Sequence, residues 1–248
     1  TEIPNLLQLE EVNTVDMTDT AKKDNIKNPK LLIDMKKLGY KVNVLQTSGY
    51  KFIDELYADF LFDAGKGNTS FRTFDSYLYE QTVYHPFYGG QDQNIEINRM
   101  ESMFKYAEDA INYGPENNFT IGYFCFPHLP YIVDEHGRKT SSTLRTDLKN
   151  PDPYLAQLKY ANVKIFDLVS KIIQAQPDAI IILQSDHGFR LPSHLDHWYG
   201  IKAYDLEVES IFERNILNAV YYGGEKIDIA ELNGLTTINL VLERLTNP

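Results

Sequence analysis

Two apolar runs, each broken off by polar residues suited to chemistry, constrain this chain more than any other feature. Residues 118–126 read Asn-Phe-Thr-Ile-Gly-Tyr-Phe-Cys-Phe and stop at Pro127; residues 179–183 read Ala-Ile-Ile-Ile-Leu and stop at Gln184-Ser185. Short apolar runs of this composition predict strands buried on both faces. Between them, residues 153–175 place Leu155, Leu158, Ile165, Val169 and Ile172 at helical spacing. Strand, helix and strand in that order predict a right-handed crossover within a mainly parallel sheet, an α/β fold. Ligands of such sheets bind beyond the carboxyl ends of the strands, which singles out the loops 127–137 and 185–200.

The flanking text fits the same class. Asn28-Pro29, then Leu31, Leu32, Met35 and Leu38 with Gly39 behind, reads as a capped helix with proline in its first turn and glycine as its stop. Residues 40–45 follow as a strand in which Val42 and Val44 alternate with polar neighbours. Residues 64–94, rich in Gly, Tyr and Phe, read as long surface loops with room for one short helix. Ile97, Met100, Met103, Phe104, Ala107 and Ile111 mark a helix over 95–113 that Gly114 closes. Residues 216–222 predict a further strand, and 236–245 a closing helix with Ile238, Leu240, Val241 and Leu245 apolar.

Composition excludes several classes. The chain has 248 residues, a length compatible with one large domain, and its 35 acidic against 24 basic residues give a net charge of −11. No stretch concentrates Lys or Arg, so a nucleic-acid partner is excluded on electrostatic grounds. The single cysteine, Cys125, rules out an intramolecular disulfide and a cysteine-based zinc site, and its apolar neighbours make it a core residue. No run reaches the ~18 apolar residues of a membrane span, and no stretch of these residues reads as a signal peptide. The opening Thr1 suggests a processed product or an excised piece.

Histidine placement is the strongest chemical signal. Of the six, His128, His136, His187, His194 and His197 fall in the two strand-end loops, leaving only His85 elsewhere. Ser185-Asp186-His187-Gly188 directly follows the second apolar run, so a carboxylate and an imidazole share a strand mouth, with a glycine to let the backbone turn. Such a pair suits a divalent metal. His128 lies in Pro127-His128-Leu129-Pro130, where two prolines restrict the backbone that carries the ring.

Ser185-Asp186-His187-Gly188 after a strand, with Phe126-Pro127-His128-Leu129-Pro130-Tyr131 and then Asp134 and Gly137 upstream, resembles the sulfatase-like branch of the alkaline phosphatase superfamily. That branch includes arylsulfatases, lipoteichoic acid synthases and lipid A phosphoethanolamine transferases. Residues 32–40 resemble its helix-plus-Gly-Tyr segment. Residues 216–221 with 236–239 resemble the carboxyl-terminal end of its membrane-anchored members. The resemblance implies an alkaline-phosphatase-like fold over 1–248 as one domain, a mainly parallel central sheet with helices on both faces. It implies a divalent cofactor (zinc, manganese, magnesium or calcium) held by Asp186 and His187. His128 and His197 would be catalytic, and His128, His194, His197 and Arg190 would contact the phosphate- or sulfate-ester substrate. Asp134 would be a supporting residue. The implied location is the extracellular face of a bacterial envelope, with membrane attachment only through segments outside this chain.

Two family features have no counterpart here: an acidic metal ligand at the end of a first strand, and a Thr, Ser or formylglycine-forming Cys nucleophile. Thr1-Glu2-Ile3-Pro4-Asn5 resembles the segment just after that nucleophile, so the expected nucleophile lies at Thr1 or just before it. The piece itself is expected to fold, to bind metal weakly and to turn over no ester. Two alternatives stay open: a catalytically inactive sulfatase-like binding or scaffold domain, and a phosphatase without a covalent step.

Overall fold

The computed structural model describes residues 7–9, 29–46, 53, 55–64, 85–112, 117–141, 150–188, 215–225, 227 and 232–246. In chain order they form α1 (Lys30–Lys37), β1 (Lys41–Gln46), a 3₁₀ turn (Glu55–Tyr57), β2 (Phe60–Asp63), α2 (His85–Ala110), β3 (Asn118–Gly122), α3 (Asp152–Ala175), β4 (Ile180–Gln184), β5 (Asn218–Tyr222) and α4 (Gly234–Thr246). The chain divides into two compact units, Gly39–Ala175 on one hand and Thr1–Leu38 with Gln176–Pro248 on the other. Among the described residues no helix is long and apolar enough to cross a membrane.

The first unit is α/β, built on a parallel three-stranded sheet of order β2-β1-β3. β1 is the central strand, and Val42, Val44 and Leu45 are buried at its heart. The polar positions between them are buried as well, and hydrogen bonds make that tolerable. Asn43 Nδ2 donates to Thr120 Oγ1 on β3 at 3.3 Å, while Gln46 exchanges two long bonds with the backbone of Ile53 at 3.4 and 3.5 Å. α2 contributes Met100, Met103 and Phe104 to this core, with Phe104 against Phe124 at 5.0 Å. α2 also joins α3 through Glu101, whose carboxylate accepts from Tyr160 Oη at 2.8 Å and pairs with Lys164 at 2.7 Å.

In the second unit β4 pairs antiparallel with β5 in the register Ile180↔Tyr222 to Gln184↔Asn218. After β5, Gly223 and Gly224 take positive φ (52° and 81°), and the Gly223 N–H donates to Ala179 O at 3.1 Å. Asn233 caps α4, its Oδ1 accepting from the Thr236 N–H at 2.8 Å, and Leu235, Thr237 and Val241 form the buried line of that helix.

Several expectations need correction. β3 and β4 were expected in one parallel sheet, yet among the described residues β3 pairs with β1 and β4 with β5. An apolar run announces a strand but carries no information about its neighbour. Neither strand is buried on both faces: the residues of β4 are all half-buried, and β3 exposes Thr120 and Gly122. β3 also ends at Gly122, because Tyr123 makes the last rung onto Leu45 and Phe126 then bonds locally to Phe124. Cys125 is half-buried rather than a core residue.

The helix expected from residue 95 starts ten residues earlier, at His85. Gly89 and Gly90 hide it, since both disfavour helix, whereas Pro86 is harmless in a first turn. Pro29 stands at the N-cap of α1 instead of inside its first turn, and Leu38 is largely exposed; Asn28 and Gly114 lie outside the described residues.

Candidate functional site

The carboxyl end of β4 carries Asp186 and His187, and its footing is a polar network. Gln184 Nε2 donates to Asn218 Oδ1 at 3.0 Å and to Gly234 O at 2.9 Å. Asn218 Nδ2 in turn donates to Leu232 O at 3.0 Å and to Thr237 Oγ1 at 2.9 Å. Ser185 locks the next position: its N–H donates to Leu217 O at 3.0 Å and its Oγ accepts from the Leu217 N–H at 2.8 Å. The strand end is thereby fixed one residue before the acid–imidazole pair.

Asp186 and His187 are about three-quarters buried, with side-chain exposures of 25% and 29%, and His187 Nε2 lies 3.9 Å from Asp186 Oδ2. His187 Nδ1 is 2.6 Å from Gly188 O. A carbonyl oxygen only accepts, so Nδ1 carries a proton there, and Nε2 is the nitrogen left to act as a ligand. Two donors at ordinary metal distances stand about 3.0–3.5 Å apart, so the observed pair needs only a small side-chain rotation to share one ion. The residues therefore fit two positions of a divalent shell. Among the described residues no group of three or more His, Cys, Asp and Glu side chains is gathered for a metal.

His128 belongs to the other unit. It is exposed, and its Nδ1 lies 2.6 Å from Leu129 O, in a stretch where Phe126-Pro127 and Leu129-Pro130 are both cis. The backbone around it is held by Gln157 of α3, whose side-chain amide uses all four of its hydrogen-bonding positions. Oε1 accepts from Ile132 N (2.7 Å) and Val133 N (3.3 Å), and Nε2 donates to Pro127 O (3.2 Å) and His128 O (3.1 Å). From α2, Gln93 Nε2 donates to Ile132 O at 2.8 Å and Thr140 O at 2.9 Å.

Beyond Val133 the loop folds back through a Val133–Lys139 bridge, and Asp134 organises the turn. Asp134 Oδ1 accepts from the N–H groups of His136 and Arg138, both at 2.9 Å, and Oδ2 accepts from Arg138 Nε at 2.8 Å. Partial burial would raise the Asp134 carboxyl, but these bonds outweigh it and hold the group below the ordinary carboxylate range. Asp134 is thus engaged in building a turn. Gly137 sits in that turn at φ +77°, where a Cβ would lie 2.8 Å from ring carbons of Tyr160. The ring is pinned by Glu101 and by an edge contact with Phe126 at 6.3 Å. Gly137→Ala is expected to cost about 2–4 kcal/mol, combining left-handed backbone strain with overpacking, read from the urea midpoint.

Burial, and then the bond to Glu101, push the Tyr160 phenol up to about 12 from 10.0. A folded-state value raised above the unfolded one gives stability that is whole below pH 10 and lost as pH climbs towards 12. The urea midpoint is expected to fall over that window, and to fall less in Tyr160→Phe.

Of the residues the sequence singled out, Asp186 and His187 come together. His128 stands at the expected strand-end loop of its own unit, and Arg190, His194, His197 and Thr1 lie outside the described residues. The supports Gln157, Gln93, Gln184 and Asn218 were missed. One of them left a signal: the buried line of α3 is Pro153, Gln157 and Ala161, whereas Leu155 of the expected apolar stripe is largely exposed. A glutamine at the centre of a buried helical line has to find partners, and here they are the His128 backbone.

What the fold and site define is a class: an α/β chain with an acid–imidazole pair at one strand end and a braced histidine loop after another. No protein family, no curated protein and no solved structure matches the chain.

Proposed function

We propose that the chain is a metal-dependent hydrolase or transferase acting on phosphate or sulfate esters, with an alkaline-phosphatase-like fold, at the extracellular face of a bacterial envelope. The observation that carries this reading is the Asp186–His187 pair, with His187 Nδ1 committed to Gly188 O and Nε2 standing 3.9 Å from Asp186 Oδ2. A divalent ion there, when bound, offsets charge on the ester oxygens and activates a hydroxyl nucleophile. Asp186 supplies negative charge to the ion and His187 a neutral nitrogen. His128 contacts the ester oxygens and His197 gives a proton to the leaving alkoxide, with His194 and Arg190 as further substrate contacts. The envelope location rests on the resemblance to anchored sulfatase-like proteins.

The test is turnover of phosphate monoesters, phosphate diesters and sulfate esters with zinc, manganese, magnesium and calcium. It is measured beside metal binding by equilibrium dialysis. The protein is expected to bind one divalent ion through Asp186 and His187 and to turn over one ester class only with that ion. Turnover or metal binding insensitive to His187→Ala overturns the reading.

A further inference from the structure

We propose that Gln157 is a positioning residue for His128, setting the direction of its imidazole through the backbone on both sides of it. The bonds are divided by kind. The donating half of the amide holds the carbonyls of Pro127 and His128, and the accepting half holds the N–H groups of Ile132 and Val133. Residues 127–133 are thus tied at both ends to one point of α3. Leu129, whose carbonyl receives His128 Nδ1 at 2.6 Å, lies inside the tied span. Gln157 itself is 0% exposed, so water does not substitute for the amide at its core.

Gln93 supplies the contrast, because it binds the same loop at Ile132 O and Thr140 O and reaches neither Pro127 nor His128. If the loop needed only to be held somewhere, the two glutamines would be equivalent. The bond pattern makes them different: Gln93 anchors the far limb, and Gln157 aims the histidine.

The positioning stands on geometry alone; its consequence for turnover rests on the reading of His128 as the group facing the ester oxygens. Gln157→Glu keeps acceptors for Ile132 and Val133 and loses the donors to Pro127 and His128, so it separates the two halves. The histidine ring nitrogens are followed by ¹⁵N NMR, with His128 assigned by its loss in His128→Gln, and folding is checked by circular dichroism. The unmodified chain is expected to show the Nδ1-protonated pattern at His128, Gln157→Glu the averaged pattern of a solvated imidazole, and Gln93→Leu the unmodified pattern. An unchanged His128 signal in folded Gln157→Glu, or an equal change in Gln93→Leu, overturns the proposal.

Should Gln157→Glu fail to fold, amide exchange in the unmodified chain decides. Ile132 and Val133 are expected to be protected like the amides of β1, and coil-like exchange at both overturns the proposal. A changed His128 signal with unchanged ester turnover supports the positioning and removes His128 from the proposed mechanism.

Discussion

Gln157→Leu is expected to destabilise the Gly39–Ala175 unit by about 3–5 kcal/mol. Leucine matches the volume of glutamine, so the cost is not a cavity. It comes from four backbone groups losing their partner at once. Ile132 and Val133 are 6% and 0% exposed, and an unpaired buried N–H costs about 1–3 kcal/mol. The carbonyls of Pro127 and His128 belong to a less buried stretch that water reaches, so they add less. A loss of that size removes a large part of the ~5–15 kcal/mol that holds a typical domain. By the same reasoning Gln93→Leu, which strands only Thr140 O because Ile132 O keeps the Thr140 N–H at 3.1 Å, costs about 1–2 kcal/mol. Urea denaturation of both variants, followed by circular dichroism, measures the ratio; equal losses would show that the loop is held by its packing rather than by Gln157.

That asymmetry explains how far this molecule can be read from its residues. Period gave the elements. Val42 and Val44 mark β1, the stripe over 153–175 marks α3, and Ala-Ile-Ile-Ile-Leu marks β4, because a side chain's place along the chain decides which face it takes. Period was silent on pairing, which depends on residues far away, and so the antiparallel partner of β4 went unseen. It was also misled where local preference and packing disagree. Gly89 and Gly90 look like loop, yet one helix runs across them from His85 to Ala110, with Met100, Met103 and Phe104 of its later turns in the core.

The site follows the same division. Asp186 and His187 are neighbours in sequence and lie just after a strand, so their meeting was legible. Gln157 and His128 are 29 residues apart, and nothing local connects them. Asp134 is a different case. The resemblance alone implied a supporting role for it, and in the structure its oxygens are engaged by the turn that Gly137 completes.

The largest functional effect is expected at Asp186. Asp186→Asn keeps the shape and removes the charge, so it separates a metal ligand from a residue that merely fills the strand end. The proposed ion contributes several kcal/mol to the transition state, and about 4 kcal/mol corresponds to a loss of about 10³-fold in turnover. His187→Ala is expected to match it, and the double variant to lose little more, because both act through one ion. Asn218→Leu is the graded case. It leaves both donors in place but takes the Asn218 amide from Leu232 O and Thr237 Oγ1 and leaves Gln184 Nε2 with Gly234 O alone. Loosening that support is expected to weaken metal affinity about 10–100-fold, and added metal should restore most of the turnover. Metal affinity by equilibrium dialysis and turnover over a metal titration separate the three variants. If excess metal rescues Asp186→Asn as fully as Asn218→Leu, Asp186 supports the site without holding the ion. If neither affinity nor turnover moves in Asp186→Asn, the ion is bound elsewhere and the acid–imidazole pair at the end of β4 is only a turn.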